Sequence, residues 1–184
     1  MPDRYIERVL NGDKEAFRFI IREYKEDAYN LAISIVKEEY AAKEVVQKSF
    51  INAYEGLAEF RKEAAFNTWF HRIVVNESYQ LLRSRKPDRN HPFNEEQHID
   101  GSNNSVHQAI DDQHKRHCIQ TVLKAMKPDE SLALRLFYLY EYSIKEVCEI
   151  TGWSNSNTKV ILHRARNNMR EKLSKNFNLK PEEV

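Results

Sequence analysis

A chain of 184 residues with 41% hydrophobic and 31% charged residues has enough apolar material for a core and is too apolar to be disordered. With only 4 Gly and 5 Pro, helix is the default, because sheets and long loops use more breakers. A net charge of +1 removes any argument from a global basic excess, but the charge is unevenly spread: 159–175 carries Lys159, Arg164, Arg166, Arg170, Lys172 and Lys175 against Glu171, whereas 87–110 carries Arg89 against Asp88, Glu95, Glu96 and Asp100.

In chain order, 3–10 reads as a short helix ended by Asn11-Gly12. Asp13 is the expected N-cap of a long helix to about Val36, striped by Phe17, Ile20, Ile21, Tyr24, Ala28, Leu31, Ala32 and Ile35. A second stripe, Val45, Val46, Phe50, Ala53, Tyr54 and Leu57, predicts a helix over 41–57 with Gly56 near its stop. After the connector 58–65, a helix is predicted from 66 to 86, on Trp69, Phe70, Ile73, Val74, Leu81 and Leu82, with Pro87 ending it. Residues 87–105 lose periodicity and read as a flexible linker between two helical units. The second unit is expected to hold a helix at 106–126, a break at Lys127-Pro128 with Asp129 as N-cap, and a helix at 130–140. A short helix at 144–151 capped by Ser143, a turn at Gly152 and a last helix from Asn155 to about 175 follow. The chain thus reads as all-α, with units 1–86 and 106–184 joined by 87–105.

The segment from Ser143 to Leu173 has the pattern of a helix-turn-helix. Ile144, Val147, Cys148 and Ile150 should face inward, as should Val160, Leu162 or Ala165, and Met169 on the last helix. Asn155, Ser156, Asn157 and Lys159 should face solvent, where Asn and Ser meet base edges or phosphates and Lys neutralises phosphate. A solvated basic helix is the plainer alternative. In the first unit, Phe60, Phe66, Trp69 and Phe70 cluster in sequence with Arg61, Lys62, Arg72 and Asn76, a mixture suited to stacking unpaired bases. Taken alone, that cluster reads more simply as an ordinary aromatic core with basic groups pointing outward. Cys118 and Cys148 form no CxxC pair, the N-terminus lacks a signal-like apolar core, and no run approaches the ~18 apolar residues of a membrane span. A cytoplasmic protein without membrane insertion is therefore expected.

Taken together, GDKEAFRFIIREY from Gly12, AAKEVVQKSFINAYEGLAEF from Ala41, FRKEAAFNTWFHRIVVNESYQLLRSRK from Phe60, and the helix-turn-helix ending in His163-Arg164-Ala165-Arg166 resemble the sigma-70 family of RNA polymerase initiation factors. The resemblance is to its extracytoplasmic-function group, which keeps the second and fourth sigma domains. It implies that Glu44, Gln47, Lys48 and Phe50 dock on the core polymerase, whose β′ and β subunits are the expected partners. It assigns the −10 element to Phe60, Arg61, Phe66, Trp69, Arg72, Ile73 and Asn76, with a flipped base near Phe60, Ile73 and Asn76. Arg83, Arg85 and Lys86 would hold the duplex upstream. The −35 element falls to Asn155, Ser156, Asn157, Thr158, Lys159, His163, Arg164 and Arg166. The linker would thread towards the polymerase cleft, with Glu95 and Glu96 mimicking nucleic acid. Promoter DNA and an anti-sigma partner complete the expected partners; no cofactor and no catalysis are expected.

Some residues depart from the family pattern. Glu44 stands where Asp is usual, and Lys43 and Lys48 where Glu is frequent, which reverses charge on the proposed docking helix. Thr158-Lys159-Val160-Ile161 lacks an Arg often found there. A free-standing helix-turn-helix regulator is the alternative function, disfavoured by the lack of a dimerisation segment. A metal enzyme would have to use His107, His114, His117 and Cys118, an incomplete zinc ligand set that reads more simply as solvated helix residues.

Overall fold

The structure, a computed structural model, describes residues 3–85 and 109–177, with side chains in the second span from Lys115 onward. The linker, Lys86, Pro87, Val106 and His107 lie outside the described residues. Every regular element described is helical. The first unit comprises α1 (Asp3–Leu10), α2 (Phe17–Val36), α3 (Glu39–Glu55) and α4 (Phe66–Ser84). The second comprises α5 (Ala109–Ala125), α6 (Pro128–Leu134) running into a π-helical turn (Arg135–Leu139), α7 (Ile144–Thr151) and α8 (Asn155–Phe177).

Several boundaries differ from the sequence expectation for local chemical reasons. Asp13 does not cap α2; Arg8 holds its carboxylate at 2.6 Å, and a 3-10 turn (Lys14–Ala16) intervenes. α2 ends without glycine: Lys37 itself adopts the left-handed conformation at φ 62°, and its N–H donates to the Ile33 carbonyl. The next residue, Glu38, caps α3 by accepting from the Tyr40 and Ala41 amides. Pro128 starts α6 rather than breaking the chain, because the first helical position needs no N–H. Ser143 and Glu146 form a complete capping box on α7, and Gly152 turns the chain at φ 76°.

The first unit's core is an aromatic ladder. Phe17 meets Phe50 edge-on, Phe50 lies 4.7 Å from Phe70, Phe70 stacks on Phe66, and Phe66 touches both Trp69 and Phe60. A smaller cluster in the second unit gathers Cys118, Val122, Leu123, Met126, Leu134, Ala165 and Leu173.

The units also pack directly on each other. Leu132, Leu136, Tyr142, Val147 and Ile150 are buried in one continuous cluster with the first unit's core. Lys37 Nζ donates to the Leu123 carbonyl at 3.0 Å, near the C-terminal end of α5. The Tyr79 hydroxyl donates to Asp129, the residue expected as a helix cap. The Tyr140 hydroxyl donates to the Asp27 carbonyl, and the Tyr142 hydroxyl lies 2.9 Å from His71 Nδ1.

Candidate nucleic-acid interface

The α4 surface carries two hollows. One, of about 510 Å³, is lined by Phe60, Arg61, Thr68, Trp69 and Arg72, with Glu149 of α7 on its wall. The other, of about 330 Å³, is lined by Asn52, Gly56, Trp69, Ile73, Asn76, Glu77 and Gln80. Trp69 lines both, so Phe60 and the pair Ile73 and Asn76 do not share a single pocket. Arg61, Arg72 and Asn76 are exposed, and Phe60, Trp69 and Ile73 are half-buried. Phe66 is buried in the ladder and has no surface left for DNA. Arg83 is exposed, whereas Arg85 is engaged by Glu44 at 3.0 Å and by Glu38.

On α3, Glu44 and Gln47 are exposed and Phe50 is buried against Phe17 and Phe70. Lys48, whose charge departs from the family pattern, pairs at 2.7 Å with the buried Glu77 of α4, which also accepts from Asn52. The charge reversal is thereby neutralised inside the unit. Tyr40 and Ile51 share the exposed side of α3 with Glu44 and Gln47 at helical spacing, and periodicity alone had not singled them out.

The helix-turn-helix corrects two expectations. Thr158 is fully buried; its hydroxyl donates to the Ser154 carbonyl and lies 3.3 Å from Cys148 Sγ, so it is unavailable to DNA. Val160, expected inside, is 45% exposed next to Lys159. Asn155, Ser156, Asn157, Lys159, His163 and Arg164 are exposed. Arg166 turns instead towards Tyr138 and lines, with Ile119, Leu123, Leu139, Met169 and Arg170, an apolar hollow of about 310 Å³. His117 is exposed while its neighbour Cys118 is buried, so the pair does not share a face, and the expectation of a solvated Cys118 is corrected. Among the described residues no trio of ligand-type side chains could hold a metal. No described helix is long and apolar enough to cross a membrane.

The family profile described as Sigma-70 region 2 matches residues 20–87, and that described as Sigma-70, region 4 matches residues 116–169. The chain belongs to the sigma-70 family. Its relatives place it among the extracytoplasmic-function sigma factors. SigW of Bacillus subtilis is 25% identical over 94% of this chain and 97% of its own length. The sigma-H factor of Pseudomonas aeruginosa is 37% identical over 84 residues, 45% of this chain and 44% of that relative, so this match spans under half of the relative. The fold recurs in CnrH, solved with the cytosolic domain of CnrY, at TM-score 0.62 and 19% identity over 93% of this chain and 96% of CnrH. It recurs in RpoE of Bartonella quintana, solved with the anti-sigma factor NepR, at TM-score 0.63 and 20% identity over 86% of this chain and 96% of RpoE. Sigma factors are initiation factors rather than enzymes, in keeping with the expected lack of catalysis. The match to region 2 favours a sigma factor over a free-standing regulator, whose first unit would have no role.

Proposed function

We propose that this sigma factor binds core RNA polymerase in the cytoplasm, brings it to promoters with −10 and −35 elements, and helps open the DNA. The observation that carries the reading is the presence, in one chain and in family order, of the aromatic–basic hollow on α4 and a capped helix-turn-helix with an exposed polar first turn. Arg61 and Arg72 neutralise the backbone of the non-template strand while Phe60 and Trp69 offer faces for stacking. Ile73 and Asn76, with Asn52 and Gln80, form a second hollow in which an amide reads an extruded base. Asn155, Ser156, Asn157 and Lys159 enter the major groove at the −35 element, with His163 and Arg164 towards phosphate. Exposed Val160 supplies an apolar contact for a thymine methyl.

Glu44 and Gln47, joined by Tyr40 and Ile51, form the docking face for β′. The apolar hollow rimmed by Arg166 and Arg170 suits the β subunit. An anti-sigma partner, of the kind solved with the Bartonella relative, is part of the same reading. In vitro transcription with sigma-free core polymerase and host promoter fragments tests it. Start sites that appear only with this protein are expected; none with polymerase of the native host refutes it.

A further inference from the structure

We propose, resting on the sigma-factor reading above, that Glu77 is a positioning residue for the −10 element: by fixing the amide of Asn52 it makes the hollow between α3 and α4 select an extruded base that carries an exocyclic amine, adenine or cytosine, over thymine.

Lys48 and Asn52 lie one turn apart on α3 and reach the same carboxylate on α4. Lys48 Nζ stands 2.7 Å from Glu77 Oε2, and Asn52 Nδ2 donates to Glu77 Oε1 at 2.8 Å. Glu77 is only 7% exposed, so its carboxylate is held in place by its surroundings. A carboxylate paired with an ammonium group accepts and does not donate. The amide of Asn52 therefore has one orientation, with its nitrogen towards Glu77 and its carbonyl oxygen turned away from it. Asn52 is half-buried in the lining of the hollow, where the carbonyl and one N–H are what it has left for a ligand.

The rest of the lining is also rich in acceptors. Glu59 and Glu77 add carboxylate oxygens, and Asn76 and Gln80, one turn apart on α4, add amides that both donate and accept. Such a hollow complements the amine of adenine or cytosine and leaves an amide N–H for the ring nitrogen beside that amine. Thymine carries a carbonyl oxygen where cytosine carries its amine, and would set oxygen against oxygen at Asn52. A polar group left unpaired in a partly buried site is what discriminates between the bases. The departure at Lys48 belongs to the same arrangement: with the glutamate frequent there in the family, two carboxylates would face each other and Glu77 would lose its counter-ion.

The test uses the full chain assembled with core polymerase, on a promoter set in which each non-template base of the −10 element is varied in turn. The readout is the ratio of open complexes formed on the amine-bearing and thymine versions, taken within each holoenzyme so that a change in polymerase affinity cancels. Circular dichroism checks that each variant is folded. The wild type should favour adenine or cytosine over thymine by about tenfold at one position. Glu77→Gln, which frees the Asn52 amide to turn over, and Asn52→Ala should each bring that ratio to within about twofold of one. Exchanging the charges, Lys48→Glu together with Glu77→Lys, should turn the Asn52 nitrogen towards the hollow and shift the preference to thymine. A wild type with no such preference at any −10 position overturns the proposal while promoter opening stands. A folded Glu77→Gln, Asn52→Ala or charge-exchanged protein that retains the wild-type preference overturns it as well. If the wild-type holoenzyme opens no promoter at all, the sigma-factor reading fails and the base selection falls with it.

Discussion

On α4 the side chains we propose for DNA are the outer rungs of an aromatic ladder that reaches back through Phe66 and Phe70 to Phe50 and Phe17. On α8 they stand on an exposed first turn, while Thr158, Leu162 and Ala165 do the packing on the other side. Function and folding are therefore coupled in the first unit and separable in the second. An aromatic ring that stacks on bases has to be held rigidly, and a ladder holds it. A polar residue that reads a groove needs only a well-anchored helix beneath it.

The strongest way to break this comparison is at the ladder. Phe66→Ala should lower unfolding stability by about 3–5 kcal/mol, the range for a buried aromatic truncated to alanine. Chemical denaturation measures it, and a loss under about 1 kcal/mol would show that Phe66 is not a core residue. Asn76→Ala, on the exposed side of the same helix, should leave the denaturation midpoint in place and reduce −10 opening.

The next effect is acidic. Burial pushes the His71 imidazole down to about 4 from the ordinary 6.5. Its surroundings are Phe70 on its own helix and Tyr140 and Tyr142 from the second unit, with Asp27 and Glu146 as the carboxylates acting on those tyrosines. The folded value is depressed, so the packed state is favoured above pH 6.5 and loses stability as pH falls towards 4, by roughly 3 kcal/mol in all. Lys37, held at about 7 by burial and then by Arg135, acts in the same direction at higher pH: the packed state gains stability as pH rises from 7 towards 10.5. A His71→Asn variant should lose the stability slope between pH 6.5 and 4 relative to wild type. Parallel pH profiles for the two proteins would remove His71 from the account.

The smaller effects separate the faces of α8. Thr158→Ala should cost about 1–2 kcal/mol of stability, because it removes a buried hydroxyl bonded to Ser154. The adjacent Lys159→Ala should change stability by less than about 0.5 kcal/mol while weakening −35 binding and reducing its salt slope by about one. If the two variants exchange these phenotypes, the orientation of α8 is wrong.

The sequence by itself determined the helices, the chain order of the two units, the capping of α7 by Ser143 and the turn at Gly152. These are settled within a few residues, by periodicity, a capping box and one left-handed backbone position. It also carried the family pattern, because that pattern is written in short motifs. Only the tertiary structure decided that Phe66 and Thr158 are inside, that Val160 is outside, and that Lys48 is answered by Glu77. It alone joined Tyr142 to His71, 71 residues away. Such facts depend on which face of one helix meets another, and a helical stripe broad enough to pack in either of two rotations does not say which.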